Sequence, residues 1–124
     1  MASPHAVASQ LNPPRQANLA GVYILNGEQK EADKLLISEY GTTEIPDQLL
    51  VQIYSKTRDY ERLAGIWRAF VKINSKNLEY RKNLSGAYLL ANQKRSAIET
   101  LEAAIKDFPE FKSEGENLIK DIKK

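Results

Sequence analysis

Hydrophobic residues recur along most of this chain at three- and four-residue steps, which is the spacing of one face of an α-helix. Between residues 59 and 73, for example, Leu63, Ile66, Trp67 and Phe70 fall on one such stripe. No segment shows the alternation of apolar and polar residues, with turn residues at each end, that is typical of a β-sheet. The pattern therefore predicts an all-α fold.

Capping and turn residues divide the chain into seven predicted helices. Asn12 suits the N-cap of the first helix, Gly41 the end of the second, and Asn74 or Ser75 the N-cap of the fifth. The third opens at 45–47, where a proline and an acid suit a first turn. The predicted ranges are about 13–26, 28–40, 45–57, 59–73, 77–91, 93–107 and 110–123.

The apolar pattern repeats at a fixed offset. Tyr54 and Tyr88 lie 34 residues apart, and at the same offset Leu50 matches Leu84. An earlier unit also fits, because segment 20–27 aligns with 85–92 and places Gly21 opposite Gly86 and Tyr23 opposite Tyr88. A repeat of this length predicts stacked units that bury their apolar faces against one another, and such proteins usually bind other proteins.

The third unit also carries a spaced set of small and apolar residues: Leu84, Ser85, Tyr88, Ala97, Leu101, Ala104 and Pro109. In this spacing it resembles the tetratricopeptide repeat (TPR), whose unit is a pair of antiparallel helices. The second unit departs from the family, with Val51 and Leu63 at two of its small positions. The resemblance implies a TPR-like superhelix of three pairs, at about 13–44, 45–77 and 78–109, closed by a capping helix over 110–124.

The resemblance further implies a concave groove, lined by the first helix of each pair, that holds a peptide or a helix of a partner protein. The predicted groove residues are Gln48, Gln52, Lys56, Lys82, Gly86 and Leu89. One TPR subgroup clamps a partner's terminal carboxylate with basic and amide side chains. The matching residues here all differ, so we expect no such clamp, although Lys56 and Lys82 favour an acidic ligand; the five are Ala17, Gly21, Leu49, Glu79 and Asn83.

Three alternatives to a protein-interaction module stay open. One is a scaffold that self-associates into a homo-oligomer, and another is an accessory domain of an enzyme. In addition, segment 97–122 resembles the TPR tails of bacterial membrane proteins of the O-antigen ligase and polymerase class. That resemblance implies an accessory TPR domain of an envelope glycan-assembly enzyme.

Composition narrows the function classes. Eighteen basic and 16 acidic side chains give a net charge of +2, which is too small to indicate nucleic acid. The absence of cysteine excludes disulfides and cysteine-ligated metals. The longest apolar run falls far short of the ~20 residues that cross a bilayer, so we expect no membrane insertion of this segment. The compartment stays open, with the cytoplasm as the default.

No residue pattern indicates catalysis, a metal or a cofactor. His5 is the only histidine and has no neighbouring group to orient its ring. It falls in residues 1–12, which lack a signal-peptide pattern and which we expect to be disordered or a remnant of cloning. We therefore predict that the chain is not an enzyme.

Aromatic and terminal residues complete the expected core. Trp67 should pack between helices, because it shares the stripe of Leu63 and Phe70. Tyr54 and Tyr88 should also pack there, each with its hydroxyl reaching solvent or a backbone carbonyl. The capping helix should turn a stripe of four residues inward: Phe111, Gly115, Leu118 and Ile122.

Overall fold

A computed structural model describes residues 16–124, and its regular structure is entirely helical. Within that range seven α-helices and no β-strand occur, so the all-α prediction is confirmed. His5, the N-cap at Asn12 and the tail over 1–12 lie outside the described residues. The helices, numbered in chain order, are α1 (Gln16–Leu25), α2 (Gln29–Tyr40), α3 (Gln48–Lys56), α4 (Tyr60–Ile73), α5 (Leu78–Leu90), α6 (Lys94–Asp107) and α7 (Lys112–Lys123).

One turn geometry closes each of the three helix pairs α1–α2, α3–α4 and α5–α6. The turn contains a residue in the left-handed region, with φ of 79° at Gly27, 59° at Arg58 and 62° at Asn92. The N–H of the next residue reaches back to a tyrosine carbonyl, which satisfies an otherwise free helix-end acceptor. The three bonds are Glu28 to Tyr23 (2.8 Å), Asp59 to Tyr54 (3.0 Å) and Gln93 to Tyr88 (2.8 Å).

Side-chain caps start three of the helices. Asp47, Asp59 and Asn77 each accept a hydrogen bond from the backbone N–H of the residue three positions later in the chain. These bonds fix the first residues of α3, α4 and α5. Pro46 therefore precedes the cap of α3 and is not in its first turn. The left-handed cap expected at Gly41 is confirmed, and its N–H donates to the carbonyl of Ile37.

The cap predicted at Asn74 or Ser75 is wrong. The N–H of Asn77 donates to the carbonyl of Asn74 at 3.2 Å, and because of this turn α5 begins only after Asn77, at Leu78. Asn77 then accepts the N–H of Tyr80 at 3.1 Å. The competing cap residues are all of suitable types, and the turn decides which of them serves.

Successive helix pairs contact each other through different helices, and we call each such contact a junction. The helix α1 packs on both α2 and α3, whereas α4 packs on α5 and α6 packs on α7. Across the first junction Arg62 of α4 also makes a two-pronged ion pair with Asp33 of α2, with N–O distances of 2.9 and 3.1 Å. Each helix pair is thus tied to the next, and the overall TPR-like superhelix stays a prediction.

The main hydrophobic core runs from α1 to α5, with Leu36, Leu50, Tyr54 and Ile66 almost fully buried. A second, smaller cluster beneath α7 contains Leu101, Ala104 and Phe111. The two clusters are separate, so the C-terminal end of the domain has its own small core.

Trp67 is half-buried beside the main core, with its ring 5.1 Å from that of Phe70 and 5.9 Å from that of Tyr80. The expected packing is therefore present, although the indole is not fully enclosed. Each tyrosine hydroxyl accepts a hydrogen bond that the sequence did not predict, Tyr54 from the side chain of Gln29 and Tyr88 from that of Arg68, both at 3.2 Å. That each O–H reaches solvent or a backbone carbonyl stays a prediction.

The capping helix begins with a 3₁₀ turn, Pro109–Phe111, and continues as α7. Phe111 and Gly115 are buried as predicted, but Leu118 is exposed and Ile119 packs inward in its place. The reason is that α7 leans on α6, where Ile105 lies against Gly115. Leu118 faces α5 instead, across an open space.

Candidate functional site

That open space is a cleft of about 460 Å³ between α5 and α7, which we call the α5–α7 cleft. The two helices, both described in full, share no extensive backbone contact, and α6 closes the bottom of the space. Four residues come from α5, two from α6, three from α7 and one from the C-terminus. They are Lys82, Ser85, Gly86 and Leu89, Lys94 and Leu101, Leu118, Asp121 and Ile122, and Lys124.

The floor of the α5–α7 cleft is apolar and partly uncovered. Leu89 is 39% exposed and Leu118 is 36% exposed. Gly86 leaves a gap in the wall, because a Cβ placed on it would have no heavy atom within 4 Å. An apolar side chain entering here would bury these leucines, which contributes about 25 cal/mol of binding free energy per Å² of apolar surface covered.

Three lysines and one acid line the cleft: Lys82, Lys94 and Lys124, and Asp121. The ammonium of Lys82 is already engaged, at 2.9 Å from Glu114 and 3.5 Å from Glu79. The hydrogen bond to Glu114 raises the pKa of Lys82, which keeps it charged. Lys94 and Lys124 are exposed, and Lys124 lies 3.5 Å from Asp121. The excess positive charge at the rim of the cleft therefore lies at Lys94.

The structure brings together half of the groove residues expected from the sequence. Lys82, Gly86 and Leu89 line the α5–α7 cleft. The remaining three lie exposed on α3 and do not line that cleft: they are Gln48, Gln52 and Lys56.

Sequence reasoning missed the α7 side of the cleft, which is formed by Leu118, Asp121 and Ile122. A signal for it was present, because the 34-residue offset carries Tyr88 to Ile122. It places α7 where the first helix of another pair would stand, beside α5. The groove was therefore predicted from the first helices of three pairs, whereas α7 forms one wall of the observed cleft.

A second space, of about 410 Å³, lies against α4 and is polar. Five charged residues line it: Glu44, Asp59, Glu61, Arg62 and Arg68. Its arginines are engaged by acids, since Arg62 pairs with Asp33 and Arg68 donates to Glu44 at 3.1 Å. Burial raises the pKa of the nearby Tyr54 hydroxyl, which keeps it protonated. These groups join the first two helix pairs.

Within residues 16–124, no group of acids or histidines is arranged to hold a metal ion. None of the helices over the same range has the length and apolar character that crossing a bilayer requires. Comparison of the chain with protein-family models, with curated proteins and with solved structures finds no match in any of the three. The functional interpretation therefore rests on the α5–α7 cleft and on the repeat in the sequence.

Proposed function

We propose that this chain is a TPR-like protein-interaction module that binds a segment of a partner protein in the α5–α7 cleft. The observation that carries the proposal is the open apolar gap at Gly86. A monomeric protein usually covers leucines of this kind, and an uncovered group of them with a polar rim marks an interaction surface. The repeat supports the proposal, because stacked helix pairs commonly serve as binding scaffolds.

The size and charge of the cleft favour a short peptide segment with apolar and acidic residues. Its volume suits the insertion of a few side chains rather than a whole domain. The exposed Lys94 at its rim favours acidic residues that flank the inserted ones. Of the two lysines from which the sequence predicts an acidic ligand, Lys56 and Lys82, only Lys82 lines the cleft.

Self-association is a second candidate, favoured by one observation. Val22 and Leu25 of α1 are 50% and 53% exposed, one helical turn apart. A second copy that covered them would produce oligomers whose population rises with protein concentration. Sedimentation velocity over a wide concentration range separates the two candidates, since a module for other proteins stays monomeric.

A peptide-display library screened against the protein tests the proposal. Gly86→Gln fills the gap and should weaken selected peptides by at least about tenfold, since losing one buried apolar contact costs that much. It should not damage the helix, because glycine is the poorer helix former. Ser55→Gln is the matched control, since it introduces the same side chain at an exposed position of α3 outside the cleft.

Charge-reversal variants, measured with the same selected peptides, test the role of the lysines. Lys94→Glu should weaken acidic peptides, and the weakening should shrink at high salt because exposed charges are screened. Lys56→Glu makes the same change on α3 and should leave binding unaltered. Peptides that bind Gly86→Gln and Lys94→Glu as tightly as the parent protein would exclude the cleft as the binding site.

A further inference from the structure

The chain contains its own example of how such a glycine gap is filled. A Cβ added to Gly21 of α1 would lie 2.5 Å from the Cδ1 of Ile53 and 3.6 Å from a methyl group of Leu49. Both side chains belong to α3, and Ile53 is buried. Residues four apart on a helix share a face. The gap at Gly21 is thus filled by two aliphatic side chains presented at that spacing by a neighbouring helix.

Gly86 stands at the same position of the repeat, but the pair that matches Leu49 and Ile53 is polar in its neighbouring helix. The 34-residue offset, applied twice, carries Leu49 to Asn117 and Ile53 to Asp121, and both are exposed. The α7 helix lines the cleft with Leu118 and Ile122 instead, but neither side chain comes within 4 Å of a Cβ on Gly86. The gap at Gly86 is therefore unfilled, whereas α3 packs directly on α1.

We infer that the occupant of the α5–α7 cleft is a helix of the partner that carries two aliphatic side chains four residues apart, flanked by acidic residues. The inference rests on the proposed function and specifies its ligand. The aliphatic pair would enter the gap at Gly86 as Leu49 and Ile53 enter the gap at Gly21. The acidic residues would face Lys94 at the rim and would compete with Asp121 for Lys124.

A second copy of this chain fits the cleft poorly. Its own matching pair on α3 is already committed, because Ile53 lies in the main core against Gly21. The lysines of the rim would also repel the same lysines of another copy's cleft. The occupant is accordingly a different protein with the opposite charge.

The test uses the full chain and three synthetic peptides rich in alanine and glutamate. The first is locked as a helix by a side-chain cross-link and carries leucine and isoleucine four residues apart. The second is the same locked helix with the two residues moved to opposite faces. The third keeps the spacing but is held extended by proline. Fluorescence anisotropy at low salt should give affinity for the first peptide at least about tenfold above the other two.

Two variants of the cleft complete the test. Asp121→Ile should let α7 fill the gap from within, and it should lower the affinity of the first peptide by at least about tenfold. Glu116→Ile introduces the same side chain at an exposed position of α7 outside the cleft and should bind as the parent protein does. Gly86→Leu offers an independent block should Asp121→Ile fail to fold.

The outcomes separate this inference from the proposed function. Tighter binding of the extended peptide would overturn the helical occupant and leave the cleft as a peptide site. Equal binding of the two locked helices would exclude the aliphatic pair. Failure of every peptide to bind overturns the inference, whereas the proposed function is decided separately by the library peptides and Gly86→Gln.

Discussion

Gly21 and Gly86 occupy the same position in two helix pairs, yet their surroundings are opposite. Ile53 closes over Gly21 so tightly that an added Cβ would meet it at 2.5 Å, whereas nothing lies within 4 Å of a Cβ on Gly86. The backbone turn that follows is the same in both units. The neighbouring helix packs on the glycine in one case and stands apart from it in the other, and the matching repeat position is Ile53 in α3 and Asp121 in α7.

This comparison separates what builds the fold from what makes a site. Turns and caps repeat because every pair must satisfy the same helix-end groups. The filling of the space between pairs depends on single side chains and can change without altering those turns. A cleft therefore remains where α7, unlike α3, does not reach the glycine of the neighbouring first helix.

The largest effect should follow from emptying the filled gap. Ile53→Ala should lower the free energy of unfolding by about 2–4 kcal/mol, because it leaves a cavity between α1 and α3. The matched change Asp121→Ala should stay within about 0.5 kcal/mol, as exposed positions usually do. Urea denaturation measures both, and equal losses would mean that the two junctions do not differ in packing.

Replacing each of the two glycines by leucine should change the free energy of unfolding in opposite directions. Gly21→Leu should lower the free energy of unfolding by about 1–3 kcal/mol, because the core at Ile53 has no room for it. Gly86→Leu should raise that free energy by up to about 1 kcal/mol, since leucine is the better helix former. Thermal melts followed by circular dichroism compare the two. A loss at Gly86 as large as that at Gly21 would show that the cleft is not open.

Asp121→Ile should make the second junction resemble the first. We expect the free energy of unfolding to rise by about 1 kcal/mol, the usual gain when an apolar side chain fills a surface gap. Adding Gly86→Leu to Asp121→Ile should then be less favourable than the sum of the two single changes, because both side chains compete for one space. Strict additivity in urea denaturation would contradict a shared cleft.

The smallest effect concerns the ion pair that ties α7 to α5. Glu114→Gln should lower the free energy of unfolding by about 0.2–1 kcal/mol, as for other partly exposed pairs. The pKa of Lys82 is raised in the folded state. The stabilisation is therefore complete below the unfolded value near 10.4 and is lost as the pH rises through the folded value.

The difference between parent and Glu114→Gln stability should accordingly vanish in strongly alkaline solution. Denaturation at pH 8 and above pH 11 gives the comparison. Lys124, which pairs with Asp121 at 3.5 Å, supplies the control, since Lys124→Gln removes a cation without touching Glu114. A difference that persists unchanged at high pH would show that the ammonium of Lys82 does not carry it.

Much of the fold could be predicted from the sequence, because helical spacing and the repeat are local signals. The errors lie where a choice depends on packing. Asn74, Ser75 and Asn77 can all cap a helix, and only the turn between them selects Asn77. Leu118 and Ile119 both flank the inner side of α7, and the direction in which α7 leans decides which is buried.

The candidate site was less predictable for the same reason. Lys82, Gly86 and Leu89 were found because they lie on one helix, where sequence spacing determines which side chains share a face. Their neighbours across the cleft come from α6 and α7, and contact between helices depends on how the pairs stack. The repeat shows that Asp121 corresponds to Ile53, but whether a gap remains at Gly86 depends on how α7 packs.

The separate small cluster of Leu101, Ala104 and Phe111 bears on how fast a ligand comes and goes. Because few buried side chains hold α7, this helix should open as a local unit while α1–α5 stay folded, and its amide protons should exchange before those of the main core. One wall of the cleft is then the least persistent element of the domain. A bound helix that bridges α5 and α7 would slow this exchange, and its dissociation rate would follow the opening of α7.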